Sequence, residues 1–185
     1  MKKLLSLMLA LSFVFCLTAC TDKGGKTDNN LIDVKYYANL GQINDVDYKL
    51  GEDVESVKQK LNAEQSDSSG EDEPFYYDFQ SGDYTVLTDG LVCCCYKTEN
   101  SGGGITHIVK YGDAYGFAQS TISTEVRDAM SDMGYTATER DVKSGELFFM
   151  PSASGLTVLQ YDFDKNSVLF VFQESALSAT IIYAR

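Results

Sequence analysis

The chain has 185 residues, and its 27 acidic side chains outnumber the 15 basic ones, which gives a formal net charge of −12. This balance argues against binding to phosphate backbones, because neutralising phosphates takes clustered Lys and Arg. The same charge disfavours electrostatic attachment to an anionic membrane. We therefore expect no nucleic-acid partner, and any membrane attachment has to be made by lipid.

The first predicted element is an apolar stretch, Leu4 to Thr18, that follows Lys2 and Lys3. It is shorter than the roughly 20 residues that span a bilayer, so it predicts a secretory signal peptide at residues 1–19 rather than a transmembrane helix. The stretch ends in Leu17-Thr18-Ala19-Cys20. This tetrapeptide, with a polar run after it, resembles the lipobox of bacterial lipoproteins.

The lipobox resemblance implies a lipid anchor. In that family the cysteine thiol, here Cys20, receives a diacylglycerol, and the chain is cut just before it. The expected location is the bacterial cell envelope, on the outer leaflet of the cytoplasmic membrane and facing outward. Residues 20–42 are predicted to hold the lipidated cysteine and a flexible tether, because Thr21 to Asn30 is rich in Gly, Asn and Asp.

After the tether, the pattern predicts one helix and four strands, twice in succession. An acidic loop, Glu64 to Glu73, is expected after the first helix. Short turns such as Asp89-Gly90 join consecutive strands, which favours antiparallel meanders. The predicted helices begin near Asp53 and Ser123, and the predicted strands are 75–80, 84–88, 91–98 and 105–111 in the first series and 146–150, 156–163, 167–173 and 178–184 in the second.

The two series predict an α+β fold of two tandem α-β-β-β-β repeats, residues 43–112 and 113–185. Their antiparallel meander sheet, or sheets, would carry helices packed on one face. This order is similar to the tandem-repeat fold of the β-lactamase inhibitory protein, and to small SmpA/OmlA-type lipoproteins built from one such unit. The similarity includes a loose Gly51…Val57…Leu61 pattern. It implies a sheet whose other face is available to a partner.

The cysteines contain the main candidate for chemistry. Removal of the signal and lipidation of Cys20 leave three adjacent thiols, Cys93–Cys95. Adjacent α-carbons lie about 3.8 Å apart, too close for the usual disulfide geometry. Side chains alternate along a strand, so in one register Cys95 lies opposite His107, the only histidine. A Cys–His pair is the minimum for thiolate catalysis, but small thiols beside a packed histidine are favoured as core residues.

Other motifs are weaker. Asp162 to Asn166 has oxygen ligands at alternate positions, as a calcium loop does, but Ser167 and Gln173 replace the Gly and Glu that an EF-hand requires. A hairpin turn is therefore preferred. The chain contains 12 Tyr and 10 Phe, which predicts an exposed, partly aromatic sheet face. Candidate contacts on that face are Tyr76, Tyr96 and Tyr161.

The sequence predicts a lipid-anchored, extracytoplasmic protein that binds a protein partner and is not an enzyme. No catalytic, cofactor or metal site is predicted, and Cys20 is the one modified residue. Two alternatives stay open. One is a thiol-dependent extracytoplasmic enzyme that uses Cys95 and His107. The other is a lipoprotein that binds a small ligand in a concave pocket.

Overall fold

A computed structural model describes residues 32–69, 77–142, 147 and 155–185 of the chain. The signal peptide, the lipobox and Cys20 lie outside these described residues. Residues 32–185 belong to one compact unit. In chain order the elements are α1 (Val34–Leu40), α2 (Val54–Ser69), β1 (Tyr77–Ser81), β2 (Tyr84–Thr88), β3 (Val92–Lys97), a 3-10 turn (Thr98–Gly103), β4 (His107–Tyr111), α3 (Ser123–Asp132), β5 (Thr138–Asp141), β6 (Leu156–Asp162), β7 (Asn166–Gln173) and β8 (Ala176–Ala184).

All eight strands belong to one antiparallel sheet with the order β1-β2-β3-β4-β8-β7-β6-β5. Hairpins join β1 to β4 in sequence, and β5 to β8 follow one another in the same way from the opposite edge. The last strand therefore returns to the middle of the sheet, where β8 pairs with β4. This central pairing sets His107 opposite Tyr183 and Val109 opposite Ile181.

The predicted fold of two α-β-β-β-β repeats with helices packed on one face is wrong. The structure is mostly a single eight-stranded antiparallel sheet, and the helices in its described part are few and short. The error has a physical reason. Turn signals and alternation report contacts between neighbours in the chain, whereas the β4–β8 pairing joins segments about 70 residues apart, for which no local signal exists.

Several predicted elements are present with small differences. Strand β2 has its predicted bounds, and the turn after it is fixed by Asp89, whose carboxylate accepts backbone hydrogen bonds from Leu91 and Val92 at 2.8 Å. Helix α2 continues to Ser69, through the first part of the predicted acidic loop. The strand expected at 146–150 lies outside the described residues except for Leu147.

One helix and one strand were not predicted. Helix α1 lies within the predicted tether; Asp33 accepts a hydrogen bond from the Tyr36 amide at its start, and Gly41 ends it in the left-handed conformation with φ +73°. Strand β5 has the sequence Thr-Glu-Arg-Asp, which shows no apolar alternation. It forms a strand because it pairs with β6 at the edge of the sheet, where charged residues are common.

Both faces of the sheet bury side chains in the core. On one face, which we call the Cys95 face, a cluster of apolar side chains comprises Val86, Cys93, Cys95, Val109, Leu147, Leu156, Val158, Leu169, Val171, Ala179 and Ile181. On the other face, the ring of Phe170 packs against Tyr115, Phe117 and Tyr161 with centroid distances of 5.4 to 6.1 Å. Burial on both faces leaves only parts of the sheet surface available to a partner.

Candidate functional site

The register of β3 and β4 brings together the two residues that the sequence singled out. Cys95 lies directly opposite His107, and Cys93 lies opposite Val109. Cys94 lies opposite Ile108, on the other face of the sheet. The register required for a Cys–His pair is therefore present.

The protonation states of this pair oppose thiolate chemistry. Cys95 is fully buried, and burial raises the pKa of its thiol. Burial also lowers the pKa of His107 to about 4. Both groups are therefore neutral near pH 7, whereas a reactive cysteine needs a lowered thiol pKa and a nearby positive charge. The geometry pairs a thiol with an imidazole but does not form a thiolate–imidazolium ion pair.

His107 makes ring contacts on two sides. It stacks on Tyr183 with a centroid distance of 5.7 Å and an interplanar angle of 17°, and it meets Tyr84 edge-on at 5.3 Å. Its Nδ1 lies 3.0 Å from the Thr106 hydroxyl. These contacts hold the imidazole as one ring in a row of aromatic side chains, a geometry that aromatic pairs prefer.

We call this row the aromatic strip: Phe79, Tyr84, His107 and Tyr183. Strand pairing places all four on the Cys95 face, because Phe79 lies opposite Val86, which in turn lies opposite Cys95. The Phe79 side chain is 41% exposed, and the other three rings are partly exposed. The strip therefore presents aromatic surface to solvent above a buried apolar row.

Charged residues lie beside the aromatic strip and beyond its Tyr183 end. Lys97 lies opposite Tyr84 and is exposed. Beyond Tyr183, the next strands contribute Ser167 and then Asp162. Hydrogen bonds from Ser167 and from Gln160 lower the pKa of Asp162, so this carboxylate stays ionised. An aromatic centre with a charged rim is the usual composition of a protein-binding surface.

The three remaining cysteines are free and buried. Burial raises the pKa of each thiol. The Cys93 thiol also hydrogen-bonds to the side chains of Thr88 and Tyr111. These contacts are those of core side chains, which agrees with the favoured interpretation of the cysteine run.

Two of the three tyrosines proposed from the sequence as partner contacts are not at the surface. Tyr96 and Tyr161 are buried, at 8% and 1% exposed, and Tyr76 lies outside the described residues. The prediction that Tyr96 and Tyr161 lie on an open aromatic face is therefore wrong. The sequence missed Phe79, Tyr84 and Tyr183, because their common face depends on the pairing of four different strands.

The other candidate sites show no ligand-binding geometry. Within the described residues, no three His, Cys, Asp or Glu side chains are grouped to hold a metal ion. The Asp162 region forms the β6–β7 hairpin. A shallow cavity of about 250 Å³ lies beside the β7–β8 hairpin and is lined by Gln119, Gln173, Glu174, Ala176, Leu177 and Ser178. Small-ligand pockets are usually deeper and mainly apolar.

Comparison with known proteins adds no relative to these observations. No family model, curated protein or solved structure matches the chain. Among the helices of the described residues, none has both the length and the hydrophobicity that crossing a bilayer requires. The functional argument therefore depends on the sequence signals and on the geometry of the aromatic strip.

Proposed function

We propose that this protein is anchored by lipid on Cys20 to the outer leaflet of the bacterial cytoplasmic membrane and binds a protein partner without catalysing a reaction. The lipobox resemblance of residues 17–20 supports the anchor. The aromatic strip is the observation that supports binding. The net charge of −12 argues against a nucleic-acid partner.

The aromatic strip suits a protein partner for energetic reasons. Tyr and Phe rings bury large apolar areas while losing little side-chain entropy, so a few of them supply most of the affinity of many interfaces. Here the ring contacts of His107 with Tyr84 and Tyr183 already restrict their rotamers. A partner that covers the strip gains apolar contact with little further ordering cost.

Site-specific photo-crosslinking in intact cell envelopes tests this proposal. A benzophenone amino acid replaces Phe79 in one variant and Ile122 in a matched control; the two side chains are 41% and 43% exposed, and Ile122 is outside the strip. We expect a covalent adduct of defined mass from position 79 only. Adding Tyr84→Ser should lower its yield about tenfold, since central aromatic residues dominate binding. Equal adducts from both positions, or none, would contradict the proposal.

The lipid anchor needs a separate test. Cells grown with labelled palmitate should incorporate the label into the wild-type chain and not into the Cys20→Ser variant. Incorporation of label into the variant would show that Cys20 is not the lipidation site.

The proximity of Cys95 and His107 keeps one rival function testable, the thiol-dependent enzyme. That function requires a thiolate that reagents can reach. The buried, protonated Cys95 argues against it. Rapid alkylation of Cys95 in the folded protein at neutral pH would favour the enzyme over the binding protein.

A further inference from the structure

Helix α1 has one buried face and one exposed apolar face. Val34 and Ala38 are fully buried. Tyr36 and Leu40, one turn apart, are 58% and 48% exposed. Residues four apart lie on the same side of a helix, so the two form a continuous patch that we call the α1 patch.

The α1 patch is held on a well-packed support. On the buried side of the helix, the backbone carbonyl of Ala38 accepts a hydrogen bond of 2.6 Å from the side-chain amide of Asn166, the first residue of β7. The Asp33 carboxylate caps the helix start, and the ring of Tyr36 meets that of Tyr37 edge-on at 5.3 Å. The patch is therefore ordered before it meets any partner, which lowers the cost of binding.

The charge of helix α1 itself differs from that of the chain as a whole, although the exposed Asp33 caps its start. The chain carries 27 acidic residues, yet the helix from Val34 to Leu40 contains none, and its exposed polar side chains are Lys35 and Asn39. Tyrosine is enriched at the membrane–water interface, and lysine extends its ammonium group toward lipid headgroups from a partly buried stem. The composition of this face fits a lipid surface.

The position of helix α1 in the chain points to the same occupant. Only residues 21–33 separate Cys20 from Val34. Even fully extended, a linker of this length reaches no further than about 50 Å, so the chain itself keeps helix α1 near the anchored cysteine. We infer that the α1 patch rests on the lipid surface to which Cys20 is anchored, which orients the sheet relative to the membrane. The inference depends on the proposed lipid anchor, and the anchor supplies the high local concentration that lets a small patch bind.

The chain contains no tryptophan, so one introduced tryptophan reports on one position. The lipidated protein is prepared as Tyr36→Trp and, as a matched control, as Ile122→Trp, since Ile122 is 43% exposed and lies outside α1. Each is reconstituted into phosphatidylcholine vesicles with and without brominated acyl chains. We expect brominated lipid to lower the emission of the Tyr36→Trp protein about twofold and to leave the control unchanged, as for an interfacial aromatic residue.

The outcomes separate this inference from the proposed function. If the proteins float with the vesicles but the two variants are quenched equally, or neither is quenched, the α1 patch does not rest on lipid and the inference is overturned. If the proteins do not float with the vesicles, the lipid anchor itself is refuted and the inference fails with it. A Leu40→Ser change added to Tyr36→Trp should weaken the quenching if the patch acts as a unit.

Discussion

Acidification from pH 7 to pH 5 should destabilise the protein through its single histidine. Burial among Tyr84, Tyr183 and the core lowers the pKa of His107 from 6.5 to about 4. In the unfolded chain the imidazole takes up a proton near pH 6.5, whereas in the folded protein it does so only near pH 4. The unfolded state therefore holds more protons between these values, and stability falls as the pH drops through this window.

The size of the effect follows from the pKa difference. A shift from 6.5 to about 4 corresponds to roughly 3 kcal/mol of stability when fully developed. About 2 kcal/mol of this would be lost between pH 7 and pH 5. Because His107 keeps part of its surface in solvent, screening reduces the figure, and we expect a loss of about 1 to 2 kcal/mol.

Urea unfolding of the wild type and of His107→Phe at both pH values measures this loss. The variant keeps an aromatic ring in the strip but cannot titrate, so the difference between the two proteins removes the contribution of the carboxylates. We expect the variant to lose less stability than the wild type. The imidazole signal of the only histidine, followed by NMR, should titrate near pH 4. The burial argument would be refuted if the NMR titration midpoint lay near pH 6.5 and the free energy of unfolding changed equally with pH in the two proteins.

Three further predictions concern stability and thiol reactivity. Gly104→Ala should lower the free energy of unfolding in urea by more than about 2 kcal/mol, because Gly104 has φ +73° and a Cβ there would lie 2.8 Å from two backbone carbonyl oxygens. In the control Gly102→Ala the Cβ meets nothing closer than 3.9 Å, so the loss should be about 1 kcal/mol or less. Equal losses in the two variants would contradict this argument. Ser175→Gly should raise the melting temperature and stabilise the protein by about 1 kcal/mol, because Ser175 has the strained backbone angle φ +74° in the β7–β8 turn. A lower melting temperature would show that the serine side chain makes an interaction that outweighs the strain of its backbone. Iodoacetamide at neutral pH should label Cys93–Cys95 only after unfolding, as mass spectrometry can show.

The strands were predictable where their signals are local. Tyr84–Thr88 is a short run of aromatic, β-branched and apolar residues followed by Asp89-Gly90, so both the strand and its turn could be placed from a few adjacent residues. The end of α2 and strand β5 could not be placed in this way. Helix α2 continues through polar residues to Ser69, and β5 exists because β6 supplies its hydrogen-bond partners.

The candidate site was predictable only in part. Alternation along two neighbouring strands was enough to name Cys95 and His107 as a possible pair. It could not reveal that Tyr183 stacks on His107, since 75 residues lie between the two in the chain. Nor could it assign Tyr96 and Tyr161 to the interior, because their burial depends on what covers that face of the sheet.

The sequence by itself determined the acidic charge, the lipobox resemblance at Cys20, and most strands with their turns, because each of these depends on residues adjacent in the chain. Only the tertiary structure decided that eight strands form one sheet, that both faces carry buried side chains, and that the aromatic strip lies partly exposed on the Cys95 face. The physical reason is the pairing of β4 with β8. Hydrogen bonds between distant strands set the register, and the register decides which side chains share a surface.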